Sequence, residues 1–273
     1  MSVILHVSDP HFGTEQPDVV KALITLAHQQ QPDLVILSGD ITQRARNSQF
    51  RKARDFVDAL KAPANLVIAG NHDIPLFNLP MRIFWPYFNY SRRFGVNLEP
   101  VFKSQDLLVI AVKTTRRYRH INGEISAVQV GRVNQLLNQA QPAQLRIVVA
   151  HHPVYVTHLE DEVNVMRGRK LALANWAKAG ADLILGGHIH LPFIVPLHHK
   201  FSEFDQRMWA VQAGTGVSSR TRQNIDNSVN IIRYHRLKEP RSCDIERWDY
   251  NRHTSMFLCV SSETLVLEPI LSI

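Results

Sequence analysis

Thiols are almost missing from this sequence. Cys243 and Cys259 are its only cysteines, too few for a disulfide framework or a thiolate zinc site. No run of eighteen apolar residues occurs, so nothing reads as a membrane-spanning helix. The N-terminal stretch from Met1 to His11 lacks a basic segment and turns polar after a few residues, unlike a signal peptide. Glycine (12) and proline (14) are not enriched and no segment is of low complexity, which excludes collagenous, linker-like and solenoid chains. These absences make a reducing cytoplasm the expected location.

What is present is an ordinary globular composition, 45% hydrophobic and 20% charged over 273 residues. Lys+Arg number 31 against 24 Asp+Glu, a formal charge of +7. That surplus favours anionic ligands but does not require a nucleic acid. The length suits one large α/β domain, and no linker divides it. A single domain over 1–273 is expected, with an aromatic-rich insertion at about 74–102 and a β-rich part from about 193.

Short apolar runs alternate with helical patterns over the first two thirds, the signature of βαβ units. Strands are expected at Val3–Ser8, Leu34–Ser38, Leu66–Ala69, Leu107–Val112, Arg146–Ala150 and Leu183–Leu185. Helices are expected from Asp18 to about Gln30, over Ser48–Leu60 with Ser48 as N-cap, from Ser126, and near Leu171–Lys178. Ser126 and Gln129 form a capping-box pair. Further strands are read at Met208–Val211, Val229–Tyr234, Ile245–Tyr250, Phe257–Val260 and Leu265–Leu267.

Five of the strands end in short polar strings of metal-ligand types: Asp9-Pro10-His11, Gly39-Asp40, Gly70-Asn71-His72-Asp73, His151-His152-Pro153 and Gly186-Gly187-His188-Ile189-His190. In a mainly parallel sheet the carboxyl ends of the strands share one edge, so residues from 9 to 190 converge there. Each string alone is an ordinary turn or a hydrogen-bonded core histidine. Together they supply oxygen and imidazole donors without thiolate, a set suited to Mn²⁺, iron or Zn²⁺. So many donors fit two cations sharing a carboxylate better than one. Two ligands separated by one residue, as in Asp9/His11 and His188/His190, point the same way from an extended segment, and the glycines before Asp40, Asn71 and His188 permit sharp turns.

At these strings, in this order, the sequence resembles the calcineurin-like metallophosphoesterases, and its style is similar to the class III cyclic nucleotide phosphodiesterases. The resemblance covers roughly residues 3–190. It implies a four-layer α/β/β/α sandwich of two mixed sheets flanked by helices. It also implies two divalent or trivalent ions (Mn, Fe or Zn), one held by Asp9, His11 and His190, the other by Asn71, His151 and His188, with Asp40 bridging them. His72 faces the substrate beside Asn71, and Asp73 orients the His72 ring. A hydroxide between the two ions attacks phosphorus in line, and His72 protonates or hydrogen-bonds the departing group. His152 is either a neighbour of the ligands or a filler of the variable position in His-x-Pro.

The expected activity is hydrolysis of a small phosphodiester, a cyclic nucleotide or related diester. The alternative is a pyrophosphate hydrolase similar to the UDP-diacylglucosamine hydrolases. For that reading, the insertion's Phe77, Phe84, Trp85, Tyr87, Phe88 and Tyr90, interleaved with Arg82, Arg92 and Arg93, would seat an acyl chain or make a weak membrane-surface contact. The plainer expectation is a helical cap whose aromatics pack on one another and on the sheet. A nuclease of the double-strand-break repair type uses the same strings but carries a capping domain and a coiled-coil interface for which this chain has no room. No obligate nucleic-acid partner is expected. Arg116, Arg117 and Arg119, and Arg220 and Arg222 after Gly214-Thr215-Gly216, either bind phosphate or face solvent.

Overall fold

The computed structural model describes residues 1–269. Along the chain run β1 (Ser2–Val7), α1 (Pro17–Gln30), β2 (Leu34–Leu37), α2 (Asn47–Ala59), β3 (Ala64–Val67), α3 (Leu79–Phe84), α4 (Phe88–Phe94), β4 (Val101–Lys103), β5 (Leu107–Val112), α5 (Ala127–Asn138), β6 (Leu145–Ala150), α6 (Arg169–Lys178), β7 (Leu183–Gly186), β8 (Phe193–Pro196), β9 (Trp209–Gln212), β10 (Ser228–Tyr234), β11 (Ser242–Asn251) and β12 (Met256–Val266). One sheet has the order β12-β11-β10-β1-β2-β3 and the other β4-β5-β6-β7-β9-β8. Pairing is parallel through β1-β2-β3 and through β5-β6-β7-β9, and antiparallel elsewhere.

The strands read as continuous apolar runs because both faces of each sheet are covered. Val3, Leu5 and Val7 of β1 pack outward with Val35 and Leu37 against Val19, Leu23 and Leu26 of α1 and Phe50 and Phe56 of α2. Their alternates Ile4, Leu34, Ile36 and Leu66 face the other sheet, meeting Leu107, Val109, Ile147, Val149, Leu183 and Leu185. The outer face of that second sheet, Leu108, Ile110, Val148 and Ile184, is covered by Val130, Val133 and Leu137 of α5 and Leu173 and Trp176 of α6. The period-two alternation of each strand thus builds four layers, helix, sheet, sheet, helix.

Several boundaries differ from the sequence reading. The third strand lies two residues earlier, at Ala64–Val67, since Ile68 and Ala69 already lead into the polar string. Helix α2 begins at Asn47, so Ser48 lies inside its first turn and Arg46 stands at the N-cap. Ser126 does cap α5, its hydroxyl accepting from the Gln129 amide at 3.3 Å. The separate segments Phe257–Val260 and Leu265–Leu267 belong to one long edge strand, β12, reaching Val266, which tolerates the polar run between them because most of it faces solvent. Strands β10–β12, in the β-rich part expected from about 193, complete the first sheet.

Candidate metal centre

The five strings divide between the two sheets. Those following β1, β2 and β3 come from the first sheet and those following β6 and β7 from the second, and the two rims meet. Asp9, His11, Asp40 and His151 are essentially solvent-free there, with Asn71 and His190 nearly so. Four sets of ligand atoms come within 4.8 Å of one another: Asp9/His11/His190, His11/Asp40/His72, Asp9/Asp40/His151 and His151/His152/His188.

Asp40 joins the two halves. Its Oδ2 faces His11 Nε2 at 3.6 Å, and its Oδ1 faces His151 Nε2 at 3.3 Å. On the first side, His190 Nε2 lies 3.4 Å from Asp9 Oδ1 and 3.0 Å from His11 Nε2. On the second, His151 Nε2 lies 3.1 Å from Asn71 Oδ1, with the His188 ring centroid 5.1 Å from that of His151.

The hydrogen bonds behind these atoms decide what they can bind. His190 Nδ1 donates to the Arg220 carbonyl at 2.7 Å and His151 Nδ1 to the Ser38 carbonyl at 2.9 Å, so both rings turn a bare Nε2 lone pair inward. Asp9 Oδ2 accepts from the Ser8 hydroxyl (2.6 Å) and the His188 amide (2.8 Å), while its buried Oδ1 has no partner. His188 Nδ1 is buried and unpartnered as well. Lone pairs facing lone pairs in a dry site are costly unless a cation lies between them, so the donor set fits a pair of metal ions. Titration in the metal-free protein follows the same logic. Burial opposes charge on His151, yet Asp40 beside it wins and pushes the ring up to about 9, a proton standing in for the cation. Burial lowers His11 and His188 to about 3, which keeps both neutral and ready to ligate.

The backbone reaches this arrangement by an unexpected route. Asp9 (φ 51°), His11 (φ 41°), Asp40 (φ 46°), His188 (φ 74°) and His190 (φ 56°) all adopt left-handed conformations. Asp-x-His is therefore not an extended segment presenting alternate side chains. Both pairs converge through successive left-handed turns, a strain that persists only where the surroundings enforce it. Two of the three glycines also differ from the turn reading. Gly39 needs its φ of 105°, but Gly70 and Gly187 have no positive φ. A Cβ at Gly70 would collide with the Asp40 amide and carboxylate, and one at Gly187 with Ser8 Oγ and Asp9 Oδ2. They are small because the carboxylates pass against them.

Asp73 does not orient His72. Its carboxylate accepts from the amides of Ile41 (3.0 Å), Thr42 (2.8 Å) and Gly70 (2.8 Å) and from the Thr42 hydroxyl (2.8 Å). It ties the loop after β2 to the loop after β3, and burial with the nearby Asp40 charge pushes it up to about 7. The His72 ring is set by the Gln43 carbonyl, 3.1 Å from Nδ1, and Nε2 looks into the site 4.0 Å from Asp40 Oδ2. His152 is a buried neighbour of the ligands. Its Nδ1 pairs with the Thr114 hydroxyl at 2.7 Å, and its ring centroid is 4.6 Å from that of His188. His120, outside the five polar strings, has its ring centroid 5.9 Å from that of His72.

The flanking arginines separate. Arg222 is neutralised by Asp161 and Glu160, both at 2.7 Å. Arg116 is engaged with Glu124 and Gln129, and Arg119 with Glu124. Arg117 donates to the Ile83 carbonyl of the insertion. Arg220 reaches the mouth of the site. The insertion itself packs only in part: Tyr90 is buried and Tyr87 half-buried, whereas Phe77 (79% exposed), Phe84 (67%) and Trp85 (63%) project into solvent, so the expected packed cap holds for two of the six aromatics singled out from the sequence. Among the described residues no helix is long and apolar enough to cross a membrane.

A dry rim of two half-sites joined by one carboxylate, set between two sheets, is the arrangement of a dimetal phosphoesterase. The chain belongs to the calcineurin-like phosphoesterase family, whose model matches residues 2–192, and it is a metal-dependent phosphoric ester hydrolase. It is 29% identical over 203 residues to a Synechococcus sp. protein described as a probable cyclic nucleotide phosphodiesterase, covering 70% of this chain and 74% of that one. It is also 29% identical over 205 residues to a cAMP/cGMP dual specificity phosphodiesterase of Mycobacterium tuberculosis, covering 69% of this chain and 61% of the relative. Among solved structures, a dimetal phosphatase from Danio rerio shares the fold with a TM-score of 0.67 at 12% identity, covering 98% of this chain and 99% of that one. A purple acid phosphatase from yellow lupin shares it with a TM-score of 0.71 at 14% identity, covering 98% of this chain and 54% of that one.

Proposed function

We propose that the protein hydrolyses a small phosphodiester, a cyclic nucleotide or a related diester, at a two-cation centre. In this reading Asp9, His11 and His190 hold one ion, Asn71, His151 and His188 the other, and Asp40 both. The observation that carries the centre is the division of the Asp40 oxygens, Oδ2 toward His11 and Oδ1 toward His151, at 3.6 and 3.3 Å. The diester preference is supported by the relatives described as cyclic nucleotide phosphodiesterases at 29% identity.

Two bound ions would supply charge neutralisation and a nucleophilic water of lowered pKa. The chain's own residues do the rest. The Ser38 and Arg220 carbonyls fix the tautomers of His151 and His190. Asp73 locks the loop carrying Asp40 onto the loop carrying Asn71. With Nδ1 held by the Gln43 carbonyl, His72 Nε2 is the ring atom free to exchange a proton with the leaving oxygen. Manganese, iron and zinc all suit the donor set.

The test is a hydrolysis screen of the purified protein over cyclic nucleotides, glycerophosphodiesters, phosphomonoesters and sugar pyrophosphates, with Mn²⁺ added and after exhaustive chelation. Diesters are expected to turn over fastest, with activity lost on chelation and restored by Mn²⁺. Full activity without metal, or monoesters outrunning every diester, refutes the reading.

One observation favours a second reading, an amphiphilic substrate met at an anionic lipid surface. The exposed Leu79, Ile83, Phe84, Trp85 and Phe88 form an apolar ridge, and residues 74–98 contain arginines but no Asp or Glu. Such a mixture matches a negatively charged interface.

A further inference from the structure

Arg220 and Arg222 lie two residues apart in one loop, yet their surroundings are opposite. Arg222 sits against two carboxylates. Arg220 meets none among the described residues. Its Nη1 lies 3.3 Å from His11 Nε2, 3.4 Å from His72 Nε2 and 3.3 Å from the Gln43 side-chain oxygen. A guanidinium is charged at every working pH. Its acceptors are two imidazole nitrogens and one amide oxygen at 3.3–3.4 Å, long contacts that leave its charge unbalanced and available to an anion entering the site.

Its position is also fixed. The Arg220 carbonyl accepts from His190 Nδ1 at 2.7 Å, and its amide donates to Ser218 Oγ at 3.2 Å. Ser218 Oγ pairs with Thr215 Oγ1 at 2.6 Å, which donates to the Asp9 carbonyl at 2.6 Å. The loop is thus bolted to the backbone or ring of two residues of the centre. A half-buried arginine that merely faced solvent would need no such anchoring.

We propose that Arg220 is an anion-binding residue of the active site, its guanidinium holding a non-bridging oxygen of the substrate's phosphoryl group and of the phosphate product. A diester carries one negative charge, and more gathers on the equatorial oxygens as the nucleophile adds. A fixed guanidinium at that position gains from the developing charge, so it acts on the transition state more than on the ground state. His72 shares the same edge, so leaving-group protonation and phosphoryl binding are met from one side.

The experiment compares Arg220→Ala and Arg220→Lys with the wild type in the metal-loaded protein. It measures kcat and KM on an aryl phosphodiester, metal content, and the Kd of inorganic phosphate by calorimetry. A charge-assisted hydrogen bond is worth roughly a 10- to 100-fold change. Arg220→Ala is expected to lose that factor in kcat/KM and in phosphate affinity with both metals retained, and Arg220→Lys to recover part of it. Phosphate affinity within twofold of wild type in Arg220→Ala overturns the proposal, as does metal loss with unchanged phosphate affinity per loaded site, which assigns the residue a purely structural role. The substrate part rests on the phosphodiesterase reading, but the phosphate arm does not. A wild type inert toward every diester defeats that reading, while phosphate binding lost in Arg220→Ala still upholds the subsite.

Discussion

The metal rim and the aromatic insertion are neighbours in space, and each inverts the usual distribution of polarity. At the rim, Ser8, Asp9, His11, Ser38 and His151 are completely buried, while in the insertion Phe77, Phe84 and Trp85 are more than half exposed. Proteins rarely bury charge or expose large aromatics without a reason. The difference between the regions lies in how the inversion is compensated. At the rim, His151 and His190 are held from behind by backbone carbonyls, Asp9 by a hydroxyl and an amide, Asp40 by the His72 amide and His188 by the Asn164 side chain. In the insertion, the exposure is softened by cation-π contacts, Arg44 over Phe77 at 5.5 Å and Arg92 over Phe88 at 5.7 Å, and by the Phe84–Trp85 ring pair at 5.7 Å. The first region is preorganised for a ligand inside the protein, and the second presents a surface to something outside it.

The largest effect should come from removing the joint of the rim. Asp40→Asn keeps the shape but takes away the charge that both half-sites share. Hydrolysis is expected to fall at least about 10³-fold, since stabilisation by paired ions is worth several kcal/mol. Bound metal should drop in the same preparation. Two retained metals with turnover near that of wild type would show that the halves do not depend on Asp40. Trp85→Ala, in the other region, should leave both quantities unchanged, and that contrast is what separates the two inversions.

How much of this was legible beforehand depends on which kind of signal carried it. The strands were readable because double-sided burial leaves continuous apolar runs such as Leu107–Val112. The convergence was readable because the polar strings end successive strands, and Asp9, His11, Asp40, Asn71, His151, His188 and His190 do come together. What composition could not give was backbone conformation. Left-handed φ at five non-glycine positions has no local sequence signature, because tertiary contacts impose it. The partner of the Asp73 carboxylate was misread for a related reason: adjacency in sequence suggested His72, whereas Asp73 reaches across to the amides of Ile41 and Thr42. Arg220 was visible only as one of several arginines. Its distinction from Arg222 lies in the presence of Asp161 and Glu160, which only the fold brings near.

A smaller effect concerns stability, and it extends the rim inward. His6 lies beneath the rim, entirely buried, its Nε2 2.9 Å from the Ser38 hydroxyl. Burial depresses it to about 3, with the Asp9 charge opposing only in part. The unfolded chain therefore binds a proton at His6 that the folded chain refuses, so its contribution is fully present above about pH 6.5 and is lost as pH falls toward 3. Between pH 7 and pH 5 that amounts to about 2 kcal/mol, or about 4 °C in the Tm of a domain of this size. The metal-free wild type should lose that much more than His6→Gln over the same interval. Whatever His11, His188, His151 and Asp73 contribute is common to both proteins and cancels in the difference. Superimposable pH profiles would remove His6 from the buried polar set.

The smallest effect is expected in the insertion, where the reading concerns contact rather than chemistry. If the ridge rests on an anionic interface, the wild type should co-sediment with phosphatidylglycerol vesicles but not with phosphatidylcholine ones, and salt should weaken the association. Partial burial of one large side chain in an interface contributes roughly 1.5 kcal/mol, so Trp85→Ala should weaken vesicle binding about tenfold. Turnover of a water-soluble diester should not change, because Trp85 is 63% exposed and its hydrogen bonds among the described residues reach only Met81 and Phe88 of its own segment. Equal binding to neutral and anionic vesicles would leave the arginines without a role. No binding to either would return the insertion to a cap whose exposed aromatics await a protein partner. A Trp85→Ala variant that bound normally but hydrolysed the soluble substrate more slowly would join the two regions into one site, and the comparison between an inward-facing and an outward-facing inversion would no longer hold.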